Sequence, residues 1–425
     1  VKIVIIGNSA TAVGAVEAIR EYNQTAQVLV ISEEPHSIYS RPMLSHYLAG
    51  EIDRARLAYR RADFYTRHNV QPILNSRVTA IDPEAHTVHT QDGASYPYDK
   101  LLISTGGVPI VPPIEGIDTG GVFSFSRLDD VNRILEHIQA RPTWNAVVIG
   151  GGMIGMKATD ALMRRGIRVT MVELAPRILN TALDEIGSGI MTRLLTGAGV
   201  EVCANNTVTA IHSQQGYVSS VTLRDGREIP CDLLVFGIGV RPNADLAKEA
   251  GLEVNRGVVV DGYMRTSHPD IYAAGDVAEA YDLVVDMNRT VAIWPNAYRQ
   301  GATAGGHMVG VHREDPGGVA MNTVEACGIA AMSIGDGAAS EEEYQVLFEL
   351  NERQPYYKRL VLKDGRLVGA ILVGNVNRAG IYTGLIRNKI DVSKCDRALL
   401  SEHLGLLSLP DQYRKHIVTG FGIEV

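Results

Sequence analysis

A chain of 425 residues, 45% of them hydrophobic, is long for one core and sets a prior of two or three domains, while its formal charge of −8 argues against general nucleic-acid binding. No apolar run approaches the roughly 20 residues that cross a bilayer, and the start lacks a basic segment leading into an apolar signal core, so a cytoplasmic chain with no membrane partner is expected. The four cysteines, Cys203, Cys231, Cys327 and Cys395, are scattered without a C-x-x-C pair, and histidines such as His307 and His312 lack ligand spacing; no metal is expected.

The opening stretch, VKIVIIGNSATAVGAVEAIR, reads as a buried strand, a glycine turn and a helix. A dinucleotide-binding turn of form G-x-G-x-x-G uses its glycines for the tight turn, for close approach of the pyrophosphate and for helix–strand packing. Here those positions are Gly7, Ser9 and Ala12. The next strand, AQVLVISEE, ends in the acids Glu33 and Glu34, and the carboxylate nearer the strand end, Glu33, is the expected ribose ligand, with Glu34 the alternative. Ser9 is therefore read as a small residue whose hydroxyl donates to a phosphate oxygen. After it come SIYSRPMLSHYLAG at 37–50 and an arginine-rich stretch carrying Arg54, Arg56, Arg60, Arg61 and Arg67. On an acidic chain such a stretch is either a docking face for an acidic partner or a solvated surface with scattered ion pairs.

A second unit, NAVVIGGGMIGMKATDALMRRGIRVTMVE, fills the fingerprint with Gly150, Gly152 and Gly155, and Asp160, Arg164 and Arg165 mark the wet side of its helix. Glu173 stands about 20 residues past Gly150, the offset of an acid that binds a ribose 2′-hydroxyl. A carboxylate there repels a 2′-phosphate, so NADH is expected to be preferred over NADPH; Arg177, close by, weakens that preference. Further strand ends follow at Thr105-Gly106-Gly107, Gly237-Ile238-Gly239 and Gly275-Asp276. YYKRLVLKDGRLVGAILVG predicts two strands joined at Asp364-Gly365, and NRAGIYTGLIRNKIDVS an amphipathic helix. Two dinucleotide sites in one chain suggest a flavin held beside a nicotinamide.

This ordered set of motifs resembles the FAD-dependent pyridine nucleotide oxidoreductases, the fold shared by glutathione reductase, NADH oxidases and NADH:rubredoxin reductases, from Val1 to about Cys395. The resemblance implies an α/β chain with two Rossmann-like three-layer nucleotide-binding domains and a C-terminal α+β interface domain. The FAD-binding domain would be discontinuous, 1–112 and 243–315; the NAD-binding domain would occupy 113–242, and 316–425 would make the chain a homodimer. It implies an FAD site at Gly7, Ser9, Ala10, Thr11, Glu33, Glu34, Arg41, Pro42, Val78, Thr105, Gly106, Arg127, Gly275, Asp276, Pro295 and Ala297, with Asp276 reaching the ribityl chain. Backbone amides near Asn296 and Ala297, opening WPNAYRQGATAGGHMVG, would meet the flavin pyrimidine, and Trp294 would be a packing residue. The NAD(H) site would use Gly150, Gly152, Met153, Ile154, Gly155, Glu173, Arg177 and Gly239.

The chain departs from the disulfide-reducing members, which carry cysteines beside the flavin: its first cysteine is Cys203. YSRPMLS looks instead like the Arg-Pro-x-Leu-Ser loop of rubredoxin reductases, ferredoxin reductases and the flavin part of nitrite reductases. There Arg41 would place positive charge near the flavin and Pro42 would fix the loop, although His46 falls where ferredoxin reductases often have lysine. Lys157 stands where most of the family has glutamate; it pairs with a carboxylate, stabilises negative charge on the reduced flavin, or packs its stem with its head in water. Flavin-to-NAD oxidoreductases found with carbon monoxide dehydrogenase share this lysine and the Gly-Asn-Ser turn. The implied catalytic residues are Lys157, Arg41 and Pro42, the cofactors FAD and NAD(H), and the partner a small iron–sulfur protein. A peroxide-forming NADH oxidase and a slow NADH sensor resembling apoptosis-inducing factor are the alternatives.

Overall fold

Two apolar runs that precede glycine turns become the central strands of two parallel sheets. In the computed structural model, which describes residues 1–351, 353–401, 404, 405 and 408, Lys2–Ile6 pairs in parallel with Gln27–Ile31 and with Lys100–Ile103. Val70–Ile73 and Ile271–Ala273 complete this sheet at its two edges. A strand covered on both faces needs no polar alternation, which is why KIVII is an unbroken apolar run, buried at all but its first residue. The second sheet repeats the plan around Asn145–Ile149: Glu201–Cys203, Arg168–Val172, the central strand, Leu233–Phe236 and Val122–Ser124, all parallel.

The two strand orders match through four strands. The fifth comes from later in the chain in the first sheet and from earlier in the second. Each chain path also makes a three-stranded antiparallel excursion before its fourth strand, at 78–97 and at 208–230. In both sheets the order reverses beside the central strand, and the crevice beyond the strand ends at such a point is where open α/β sheets take ligands.

The chain divides into two units. The first contains Val1–Ile110, Ser126–Leu128 and Val240–Val319; the second contains Val111–Phe125, Asp129–Gly239 and the described residues from Ala320 onward. In the first unit, helices Ala10–Tyr22 and Trp294–Met308 cross so closely that a Cβ on Gly14 would meet the Tyr298 carbonyl, and one on Gly301 the Thr11 carbonyl. That contact explains the small residues of GATAGG.

In the second unit the strands Met321–Ala326, Ile329–Gly335, Gln345–Asn351, Tyr356–Lys363 and Arg366–Val373 form an antiparallel sheet. Its Val324, Tyr357 and Ile371 share one core with Met156, Ile190 and Leu195 of the helices Met153–Arg164 and Glu185–Gly197. The C-terminal strands therefore share a core with the middle segment; of the stretch 316–425 expected as an interface domain, residues 352, 402, 403, 406, 407 and 409–425 lie outside the described residues. Asp184, which caps the second helix by accepting from Gly187 N–H, also accepts from the Tyr357 hydroxyl at 2.5 Å.

The hairpin turn at Asp364-Gly365 has positive φ at both residues, 49° and 73°, the twist that suits a two-residue turn. The expected helix over 377–393 is shorter, Ala379–Arg387, because Lys389 turns left-handed and Asp391 returns to bridge Arg366. Asp160 is not on a wet face either: its carboxylate accepts the Cys327 N–H at 3.2 Å while pairing with Arg164 at 2.7 Å. Among the described residues no helix is long and apolar enough to cross a membrane.

Candidate functional site

The first glycine turn joins strand Lys2–Ile6 to helix Ala10–Tyr22, with Ser9 as the cap residue. Gly7 has φ +115°, and a Cβ there would run into the Ser104 carbonyl, so this glycine is required by the fold itself. Ser9 has extended φ, and its hydroxyl makes no cap bond to the helix, leaving it and the first-turn amides for an anion. Asn8, between them, is locked by reciprocal bonds with the Tyr65 hydroxyl at 2.8 and 3.0 Å and by donation to the His36 carbonyl. Ala10, Thr11 and Ala12 are buried as the helix starts.

Beyond the strand Gln27–Ile31 the two acids separate. Glu33 pairs with Arg127, and Glu34 accepts from Arg41 Nη2 at 2.5 Å and from the Tyr39 hydroxyl at 2.6 Å. Glu34 thus has both oxygens engaged inside the unit, and Arg41, which also donates to the Ser126 carbonyl at 3.0 Å, brings a charge that Glu34 already neutralises. Pro42 sits in the short helical turn Arg41–Met43.

Asp276 follows strand Ile271–Ala273, and no hydrogen bond ties its carboxylate to the described residues. Burial raises its pKa, partly offset by the charge of Arg41. An acceptor left without a donor is the feature that suits a hydroxylated chain. Gly275 is held by donating to Gln300 Oε1 at 2.9 Å, and a Cβ on it would strike Thr11 and lie 3.4 Å from Ala297. The phosphate turn, Asp276 and the start of helix Trp294–Met308 therefore converge.

The expectation for Ala297 needs correction: its N–H is spent on the Ile293 carbonyl at 3.1 Å, and with Pro295 lacking one, the amide left open is that of Asn296. Val78 is buried in the unit's core. Thr105 turns its hydroxyl to the Asn243 carbonyl at 2.7 Å, and the Gly106 carbonyl accepts the Asn243 N–H at 2.9 Å, so this pair positions backbone. Of the arginine stretch, Arg54, Arg56, Arg61 and Arg67 are exposed; Arg60 is taken up by Glu17 through two bonds, at 2.8 and 3.2 Å, and lies over the Tyr59 ring, which in turn meets Trp294 edge-on at 5.0 Å.

In the second unit Gly150 has φ +105° and a Cβ there would lie 2.6 Å from the Gly237 carbonyl, while a Cβ on Gly155 would strike the Gly150 carbonyl. Gly152, the counterpart of Ser9, differs: its φ is −78° and a Cβ would meet nothing within 4 Å. The protein leaves that space open, a cradle a side chain would fill. Glu173 reaches back so that its Oε2 accepts the Gly151 N–H at 2.5 Å and its Oε1 the Ala175 N–H at 2.7 Å. Met153 and Ile154 open the helix, half-buried, and Gly239 has φ +105° in open space. Lys157 is half-buried, makes no hydrogen bond or ion pair with a described residue, and burial lowers its pKa. Pairing with a carboxylate, one of its three sequence readings, finds no partner among the described residues.

Sequence reasoning missed Asn8, Tyr39 and Gln300, which hold the site's parts, and Leu179, which is buried with φ +52° and donates to the Gly151 carbonyl at 2.8 Å. Gln300 was signalled only by lying one helical turn past Ala297.

Residues 1–301 match the family described as pyridine nucleotide-disulphide oxidoreductase, and 321–390 match the rubredoxin NAD+ reductase C-terminal domain. A nitrite reductase [NAD(P)H] of Bacillus subtilis is 31% identical over 409 residues, covering 95% of this chain and 49% of that protein. The chain thus spans about half the length of the first curated relatives it matches. A rubredoxin-NAD(+) reductase of Pseudomonas putida is 29% identical, covering 91% of this chain and 99% of the relative. Among solved structures, the covalent putidaredoxin reductase–putidaredoxin complex matches with a TM-score of 0.85 and 26% identity, over 94% of this chain and 96% of that one.

Proposed function

This chain belongs to the pyridine nucleotide-disulphide oxidoreductase family, whose cofactors are FAD and NAD(H), and from that premise we propose that it is an NADH-linked flavin oxidoreductase exchanging single electrons with a small iron–sulfur protein. The observation that carries the reading is that the first unit, which holds Ser9, Arg41 and Asp276, contains no cysteine. A thiol–disulfide relay needs a thiolate at the flavin, so the electrons leave by another route. The names of the Pseudomonas relative and of the putidaredoxin complex support a one-electron iron–sulfur acceptor.

FAD, when bound, takes up a hydride pair and gives up electrons one at a time. The chain's residues do the rest. The Ser9 hydroxyl and the first amides of helix Ala10–Tyr22 hold the FAD pyrophosphate, Glu33 with Arg127 brackets its ribose, and Asp276 accepts from the ribityl hydroxyls. Arg41 and Pro42 fix the loop beside the ring. The open turn at Gly152 receives the NAD(H) pyrophosphate, and Glu173 faces the adenosine ribose. Lys157 contributes a cation without a partner among the described residues, close to the start of helix Met153–Arg164, where negative charge is stabilised. The exposed Arg54, Arg56, Arg61 and Arg67 steer an acidic carrier. We place the protein in the cytoplasm as a homodimer formed through its C-terminal sheet.

The test is stopped-flow mixing of the yellow protein with NADH under anaerobic conditions, followed by oxidised rubredoxin or ferredoxin and, separately, by oxygen. Reoxidation that is fast with the carrier and slow with oxygen is expected. Rapid reaction with oxygen and none with either carrier refutes the iron–sulfur reading, and flavin untouched by NADH refutes the nicotinamide reading itself.

A further inference from the structure

The middle residue of each glycine turn is held in its own way. In the first turn Asn8 uses its side chain, bonded to Tyr65 and His36. Its counterpart Gly151 has none, and a Cβ there would strike Ile178 Cγ2 at 2.8 Å and meet Glu173 at 3.2 Å. The segment 173–179 grips Gly151 instead, from both sides: its N–H donates to Glu173 Oε2 at 2.5 Å, and its carbonyl accepts from Leu179 N–H at 2.8 Å. Leu179 makes that bond from a left-handed backbone, φ +52°, while 1% exposed. A buried leucine keeps such a conformation only where its surroundings over-determine it.

Those surroundings lead to the C-terminal sheet. The Leu179 carbonyl accepts from the amides of Ala182 and Leu183, both at 2.8 Å, and the Ile178 carbonyl accepts from Ser188 Oγ at 2.8 Å. The segment ends at Asp184, whose Oδ1 caps helix Glu185–Gly197 and whose Oδ2 receives the Tyr357 hydroxyl at 2.5 Å and Arg359 Nη1 at 3.4 Å. Arg359 is fixed in turn by the Ala339 carbonyl at 2.8 Å and by Glu341 at 3.1 Å. Tyr357 is 1% exposed, and burial together with the Asp184 bond raises its pKa, so it stays a donor. Capping explains one oxygen of Asp184; a cap needs no tyrosine from a distant strand. We propose that Tyr357 is a positioning residue for the dinucleotide: through Asp184 it holds segment 173–184 against Gly151, so that the C-terminal sheet keeps the second turn shaped for NAD(H). This rests on the reading of the second unit as the NAD(H) site and gives the C-terminal strands a duty toward it. Without that bond the segment is anchored by its cap alone, Leu179 is free to leave the left-handed region, and Gly151 loses the donor to its carbonyl. The hydroxyl touches no ligand, so affinity changes and the hydride step does not.

The test is calorimetric titration of the FAD-loaded protein with NAD+, beside anaerobic stopped-flow reduction by NADH. Tyr357→Phe should raise the NAD+ dissociation constant roughly 3- to 10-fold, the worth of one net hydrogen bond. The NADH concentration for half-maximal bleaching should rise by the same factor while the limiting rate stays at the wild-type value. Tyr382→Phe is the control for a purely structural effect: it removes another buried tyrosine bond of the same region, hydroxyl to Leu399 carbonyl at 2.7 Å, without touching Asp184. It should lower the unfolding midpoint and leave NAD+ affinity unchanged. Asp184→Ser keeps a good cap residue but withdraws the carboxylate, so it should weaken NAD+ as Tyr357→Phe does, and adding Tyr357→Phe to it should weaken binding no further. Unchanged affinity in Tyr357→Phe, an equal loss in Tyr382→Phe, or additive losses in the double variant overturns this proposal alone. A wild type that binds neither NAD+ nor NADH overturns it together with the reading of the second unit.

Discussion

Gly150 and Gly152 occupy one turn, yet the structure gives them different duties, and substituting each with alanine separates fold from ligand. At Gly150 the backbone stands at φ +105° and the new Cβ would sit 2.6 Å from the Gly237 carbonyl oxygen and 2.7 Å from its carbon. A left-handed alanine costs about 1–2 kcal/mol and forced overpacking about 1–3 kcal/mol more, so Gly150→Ala should lose roughly 2–5 kcal/mol of stability. At Gly152 φ is −78° and nothing lies within 4 Å of the new Cβ, so Gly152→Ala should change stability by no more than about 1 kcal/mol. If a pyrophosphate approaches the backbone at that cap, the same methyl group lies in its path. Overpacking of about 1–3 kcal/mol corresponds to roughly 5- to 150-fold weaker NADH binding. Urea unfolding followed at the flavin and at the backbone, together with NADH titration of each variant, measures both quantities. A Gly152→Ala protein that folds normally and binds NADH as tightly as the wild type would refute the assignment of that open space to a dinucleotide.

Asp276→Asn removes a carboxylate that burial holds at a raised pKa; the cost of its ionised form sets in as pH rises through the carboxylate range. The variant's apoprotein should therefore be more stable than wild type at pH 7, with the gap closing toward pH 3, while FAD binds about 10- to 100-fold more weakly, both read from thermal unfolding and flavin release. Lys157→Met should also stabilise the fold at neutral pH. Burial lowers the lysine's pKa, so the cost of its charged form is present at pH 7 and fades as pH rises toward 10.5, where the difference in unfolding midpoint should vanish. The same variant should slow flavin bleaching by NADH roughly 10- to 100-fold if the cation serves the reacting groups. Reversing Arg54 and Arg56 together should slow reoxidation by an acidic iron–sulfur carrier at low salt and leave the rate at high salt nearly unchanged; equal rates at low salt would remove the docking role.

The phosphate turns were legible because their signal is local: an apolar strand, a turn whose geometry excludes most side chains, and a helix. The plan of each sheet follows from the same runs, since strands buried on both faces leave no alternation to misread. What depended on distant partners was not legible. Glu33 and Glu34 are neighbours at one strand end, and only the fold decides that Tyr39 and Arg41 converge on Glu34 while Arg127 takes Glu33. That allocation is why Arg41 arrives at the site already neutralised, a point its sequence motif cannot carry. The Ala297 amide was misjudged for a smaller reason: the helix begins at Trp294, so its fourth residue already finds the Ile293 carbonyl. The C-terminal strands Tyr356–Lys363 and Arg366–Val373 are buried almost throughout, and the sequence does not say which surface covers them. Met156 and Ile190 supply that surface, which joins the strands to the middle segment in one core. Ser9 and Gly152 bring the two kinds of information together. The sequence shows that one turn has a hydroxyl where the other has none, and the structure adds that the fold tolerates a side chain at both, so the difference between them has to be explained by what they hold.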